Sequence, residues 1–177
     1  MLLKITTIAL VPALLIQGYH VKKKTLRLPE PQGKRKGVMG QGKALSVLIL
    51  GDSAAAGVGV EQQQDALLGS LLHELQHDFE VHYQLEAKTG DTTVQVLARA
   101  QQLENQYFDV VISSVGVNDV TKLVSAKKWI RQQQVFYQAI ENKFTPTLVL
   151  VTGVPPMNLF PALPNRWDGY LDNIQLQ

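Results

Sequence analysis

The 177-residue chain has no cysteine. That excludes a disulfide framework and thiolate metal sites, and it leaves the redox compartment open, since a cysteine-free chain suits either. Histidine is scarce: His20, His73, His77 and His82, with none after residue 82. A serine nucleophile would need a base, and the usual one, an imidazole, is missing from the second half of the chain. An unbroken stretch of about 20 apolar residues, enough to span a bilayer, is missing too. What remains is 45% hydrophobic and 18% charged, the balance of a globular chain. The length fits one domain with an N-terminal extension and suffices to bury a core.

The net charge of +2 hides an asymmetry. Residues 22–43 hold eight of the seventeen Lys and Arg residues and one acid, Glu30, whereas from Ala44 onward eight bases face fourteen acids. The body is mildly acidic and carries no nucleic-acid signature. Ahead of the basic stretch, Ile5–Tyr19 is nearly free of charge, flanked by Lys4 and Lys22-Lys23-Lys24. Residues 1–21 read best as a shallow membrane anchor held by basic residues. A secretory signal, and with it a secreted or periplasmic protein, is the alternative, but no small-x-small cleavage site precedes the lysines. Were the stretch to span, the lysines would favour keeping the body cytoplasmic; an ordinary amphipathic or buried helix is the remaining alternative. Leu28–Gly42 is rich in Pro, Gly and Lys and reads as a flexible linker, so residues 22–43 are assigned to a linker and 44–177 to the folded domain.

The domain alternates strand and helix. Ala44–Leu50 is a continuous apolar run, suited to a strand buried on both faces. Leu68, Leu71, Leu72, Leu75 and Phe79 recur at helical spacing, which predicts a helix over Gln62–His77. Phe79–Ala87 alternates with a strand period. Helices are expected over Thr92–Asn105 and through Leu123, Ala126, Ile130, Tyr137, Ile140 and Phe144. Asp109–Val115 and Thr147–Thr152 are further strands. Strands alternating with helices point to a parallel sheet covered on both faces. Each strand ends in a small or polar cluster: Gly51-Asp52-Ser53, Thr89-Gly90-Asp91, Gly116-Val117-Asn118-Asp119 and Gly153-Val154-Pro155-Pro156. A parallel sheet brings such loops to one edge.

Three of these clusters together resemble the blocks of the GDSL, or SGNH, hydrolase family. Gly51-Asp52-Ser53-Ala54-Ala55-Ala56-Gly57 resembles the first, Gly90 within Thr89-Gly90-Asp91-Thr92-Thr93 the second, and Gly116-Val117-Asn118-Asp119 the third, Gly-x-Asn-Asp. The resemblance implies a flavodoxin-like three-layer α/β/α sandwich and a serine esterase, lipase or acylhydrolase. Ser53 would attack an ester carbonyl. The backbone N–H groups of Ser53 and Gly90 and the amide of Asn118 would hold the oxyanion. Asp52, Gly116 and Asp119 would support the loops, with Asp52 an orienting residue rather than a base. Loss of one oxyanion donor costs about 3 kcal/mol of transition-state stabilisation. The implied partner is a small-molecule or lipid ester; no metal, flavin or nicotinamide is implied.

Taken singly, each residue has a plainer reading: Ser53 as a helix cap, Asn118 and Asp119 as loop braces. His73 and His77 lie four apart, but no carboxylate follows in a metalloprotease arrangement, and a surface face accounts for them. His82 falls on the strand face opposite Phe79, Val81 and Tyr83. Tyr107, Trp129 and Phe160 fit core and pocket equally well. The family's last block, Asp-x-x-His, is not matched: Asp168-Gly169-Tyr170-Leu171 has leucine at the histidine position and follows Thr152 too closely for a further helix and strand. The chain is therefore expected to be truncated or altered at its C-terminal end, with the last strand and helix missing. Three functions compete: an ester hydrolase, a non-catalytic remnant of that fold that binds an ester or a sugar, and a nucleotide or phosphate binder suggested by Gly51–Gly59. The last lacks both the P-loop ending and the dinucleotide spacing.

Overall fold

A computed structural model describes residues 28–155. The leader with His20, and the C-terminal stretch with Phe160 and Asp168, lie outside the described residues. In chain order the elements are β1 (Lys36–Met39), β2 (Lys43–Gly51), α1 (Ser53–Ala56), a 3₁₀ turn (Gln63–Asp65), α2 (Leu67–Leu75) and β3 (Phe79–Ala87). There follow α3 (Thr93–Gln102), β4 (Val110–Ser114), α4 (Val117–Thr121), α5 (Ala126–Phe144) and β5 (Leu148–Val151).

The five strands are ordered β1-β3-β2-β4-β5. β2, β3, β4 and β5 are mutually parallel, with Ile49 opposite Leu85 on one side and Ile112 on the other, while β1 runs antiparallel along the outer edge of β3. The second half of β2, Val47–Leu50, is buried on both faces because it offers a hydrophobic side chain at every position. Val47 and Ile49 pack with Leu68, Leu72, Val81 and Leu85 under α2. Leu48 and Leu50 pack with Val96, Phe136, Ile140 and Phe144 under α3 and α5. Helices thus cover both faces, the three-layer α/β/α arrangement that the alternating pattern predicts. The chain steps from β2 to β3 on one side, then crosses to β4 on the other. That reversal opens a crevice at the carboxyl ends of β2 and β4, where doubly wound sheets bind ligands.

Three local expectations change. Leu28–Gly42 is not a free linker within the described residues: Lys36–Met39 pairs with Met39 opposite Val81, and the Leu85 N–H donates to the Arg35 carbonyl, extending the ladder. Arg35 also donates to the Ala87 carbonyl and pairs with Glu30, while Glu30 accepts from the Thr89 N–H and hydroxyl. The helix expected over Gln62–His77 divides at Ala66, which is extended, because the Gln63 amide donates to the Ala56 carbonyl and ties the 3₁₀ turn to α1. Leu123 belongs to the loop before α5, not to that helix, and adopts φ +57°. Among the described residues no helix is long and apolar enough to cross a membrane.

Candidate active site

The first loop is a sharp strand-to-helix turn. Gly51 ends β2 where a side chain would run into the Ser114 carbonyl of β4 and come within 2.6 Å of the Ala55 side chain. The Asp52 N–H continues the ladder to the Ser114 carbonyl at 3.0 Å. The Asp52 carboxylate caps α1 by accepting from the Ala54 N–H at 3.0 Å. Ser53 is then the first helical residue, half-buried, with Ala55 and Ala56 driven into the core behind it.

The second loop, after β3, is anchored to the first by the Lys88 N–H, which donates to the Gly51 carbonyl. Gly90 turns the chain at φ +86°. Thr92 and Gln95 form a reciprocal capping box that starts α3. Asp91 is buried, its carboxylate accepting from Nε and Nη2 of Arg99. The third loop turns at Gly116, φ +135°, where a Cβ would sit 2.5 Å from the Val154 side chain and 3.2 Å from the Trp129 ring. Only glycine meets both demands.

One amide joins the three loops. Nδ2 of Asn118 donates to Oδ2 of Asp52 at 3.1 Å and to the Asp91 carbonyl at 3.0 Å. Behind it, Oδ2 of Asp119 accepts from both the N–H and the hydroxyl of Thr93 at 2.9 Å, and Gln133 of α5 donates to that hydroxyl at 2.8 Å. Asp119 is 1% exposed, and its Oδ1 is buried with no partner among the described residues. Asp52 is 2% exposed. Burial pushes its carboxyl above the ordinary carboxylate range; the Ala54 N–H and Asn118 amide pull it down, and the nearby Asp119 charge pushes it up.

Ser53, Gly90 and Asn118, with Asp52, Gly116 and Asp119, are therefore brought to one sheet edge. The histidines of the described residues are not. In β3, His82 lies opposite Ser46 of β2 and is bonded to exposed Glu80; Ser46 and Ser53 are seven positions apart along strand and turn, a reach of about 23 Å when extended. His73 and His77 meet edge to face at the far end of α2, where the Gln76 carbonyl accepts from the Gln41 N–H just before β2 begins. Among the described residues no three metal-ligating side chains cluster. Tyr107 sits at the opposite edge, bonding Asp109 and Thr147. Trp129 borders an apolar recess of about 470 Å³ beside Gly116, with Val115, Ile130, Tyr137, Val151 and Val154. A second recess, about 530 Å³ and rimmed by Gln32, Gln62, Gln63 and Gln76, lies along α2. Sequence reasoning missed the Thr93 and Gln133 supports, because a hydroxyl at a helix start and an amide on a helix face carry no signal of their own.

Residues 49–175, more than half of the chain, match the family model described as GDSL-like lipase/acylhydrolase. Among solved structures, the fold is shared with AlinE4, described as an SGNH-hydrolase family esterase (20% identity, 75% of this chain and 73% of that one, TM-score 0.55). It is shared with TesA (23% identity, 73% and 69%, TM-score 0.50). It is also shared with a member of the lipolytic protein G-D-S-L family from Veillonella parvula (10% identity, 75% and 69%, TM-score 0.51). No curated protein sequence gives a match.

Proposed function

Since the chain belongs to the GDSL-like lipase/acylhydrolase family, we propose that it hydrolyses carboxylic esters through an acyl-enzyme on Ser53. The observation that carries this is the Asn118 amide, which ties the serine turn to the Gly90 loop. The Ser53 oxygen attacks the carbonyl carbon and the carbonyl oxygen takes the negative charge. Collapse breaks the bond to the alcohol oxygen, and the alcohol leaves carrying the proton that Ser53 lost; water then attacks the acyl carbon, which releases the acid and restores the Ser53 hydroxyl. The Ser53 N–H, first in its helix and without an intrahelical partner among the described residues, is offered to that oxygen. The Gly90 N–H and the Asn118 amide supply the other donors. The apolar recess beside Gly116 takes the apolar part of the ester. The leader, if it holds a membrane surface, brings the site to lipid esters.

The proton on Ser53 needs an acceptor, and Asp52 is poorly suited: its oxygens already serve Ala54 and Asn118. That observation, with the remote placement of His73, His77 and His82 among the described residues, is what a second reading rests on: a fold that binds esters without turning them over. Hydrolysis of p-nitrophenyl butyrate separates the two. Turnover that Ser53→Ala abolishes supports the hydrolase. Saturable binding of the ester without turnover supports the binder.

A further inference from the structure

An NH₂ group has two hydrogens, and in this structure Asn118 has committed both, one to a carboxylate and one to a backbone carbonyl. An oxyanion donor in that state has nothing left to give. Both acceptors approach Nδ2, and neither can donate to Oδ1, so together they also fix which way the amide faces. The two bonds are not equal. A hydrogen bond to an ionised carboxylate is roughly twice as strong as one to a neutral carbonyl. The Asp52 end is also the more firmly held, buried and bonded through its other oxygen to Ala54. The Asp91 carbonyl belongs to the loop that carries Gly90. An oxygen held jointly by the Gly90 N–H and Asn118 must approach the amide from that loop's side.

We propose that Asp52 is the positioning residue of the oxyanion site, holding one Asn118 hydrogen throughout while the Asp91 carbonyl occupies the other until the substrate oxygen displaces it. The inference rests on the reading of Asn118 as an oxyanion donor. It adds that the site is closed in the free protein and that the orientation of its amide is set by a carboxylate 66 residues away in sequence. The charged groups around this contact are Asp119 of α4, Asp91 with its partner Arg99, and Lys122, which donates to the Gly90 carbonyl.

The test is a double-mutant cycle on the full chain, with p-nitrophenyl butyrate at mildly alkaline pH. In Asp52→Asn the new amide can keep the Ala54 cap with its oxygen and then presents NH₂ to NH₂, so Asn118 turns its oxygen inward. The expected loss in kcat is on the order of 10²-fold or more, that of a lost oxyanion donor, with KM little changed. Asp52→Asn/Asn118→Ala should be no slower than Asn118→Ala. Losses that multiply, or an Asp52→Asn enzyme within a few-fold of wild type, overturn the proposal. If Asp52→Asn does not fold, wild-type NMR carries the test. Phosphonylation of Ser53 should shift one Asn118 side-chain proton and leave the other; two protons that move together, or not at all, overturn it. A wild-type chain that neither turns over the ester nor takes the phosphonate sinks the Ser53 reading instead. The amide is then read in the free protein, where Asn118 side-chain protons protected from exchange with solvent support the clamp, and protons that exchange as fast as those of an exposed amide refute it.

Discussion

Asp119→Ala is the most informative single change to stability. The Asp119 carboxylate is 1% exposed and accepts the Thr93 N–H and hydroxyl, each at 2.9 Å. Truncation leaves a buried N–H at the first turn of α3 without an acceptor. The hydroxyl fares better, because Gln133 still donates to it. A hydrogen bond to a charged group contributes about 1.5–3 kcal/mol, and a stranded buried donor costs about 1–3 kcal/mol. Against these stands the relief of no longer burying a carboxylate with one unpartnered oxygen. The net expectation is a loss of about 3 kcal/mol. With a urea m-value of about 2 kcal/mol/M, the midpoint should fall by about 1.5 M. Asp119→Asn keeps an acceptor for Thr93 and should lose only about 1 kcal/mol, the cost of placing an amide nitrogen where Oδ1 now lies unpartnered. Equal losses in the two variants, or an Asp119→Ala protein within 0.5 kcal/mol of wild type by the ~±0.5 kcal/mol standard for featureless surface sites, would refute the argument that Thr93 depends on this carboxylate.

Gly51→Ala should destabilise by about 1–3 kcal/mol, since the added methyl meets the Ser114 carbonyl and Ala55; thermal melting checks this, and an unchanged Tm contradicts the close approach. Phe136→Ala, at a fully buried position on the inner face of α5, should cost about 3–5 kcal/mol by denaturant titration. Acid should weaken the fold through Asp109 and Glu30. The Ser46 hydroxyl and N–H hold the Asp109 carboxyl below its ordinary range; for Glu30, partial burial opposes the lowering, but the Thr89 N–H and hydroxyl and Arg35 outweigh it. A depressed carboxylate contributes stability above its unfolded pKa, about 4, and loses it as pH falls through the lower folded value. Asp109→Asn should therefore flatten the decline of stability below about pH 4, and a decline as steep as wild type's would count against it.

The parallel sheet was legible because a strand buried on both faces must be apolar at every position. Val47–Leu50 and Val110–Ile112 show this without help from context, and β3 spans the Phe79–Ala87 that its alternation predicts. β1 was not legible. It carries only Val38 and Met39 as apolar residues, 57% and 41% exposed, between glycines and lysines that read as a linker. Its existence depends on Arg35 and Glu30 reaching Ala87 and Thr89, contacts more than 50 residues apart. The site divides in the same way. The blocks holding Ser53, Gly90 and Asn118 could be read from the chain, since each follows a strand. That the Asn118 hydrogens are both spent could not, because it depends on where two loops stand in space. Nor does pattern alone reveal Asp119 as a buried support for Thr93, since a loop acid after a strand is as often a solvated brace.

Whether Ser53 is a nucleophile is read by incubation with a fluorophosphonate followed by peptide mass mapping. One adduct is expected, on the peptide carrying Ser53, absent in Ser53→Ala and slowed in Asn118→Ala. A folded wild-type protein that takes no adduct, or takes it elsewhere, would refute the role proposed for Ser53.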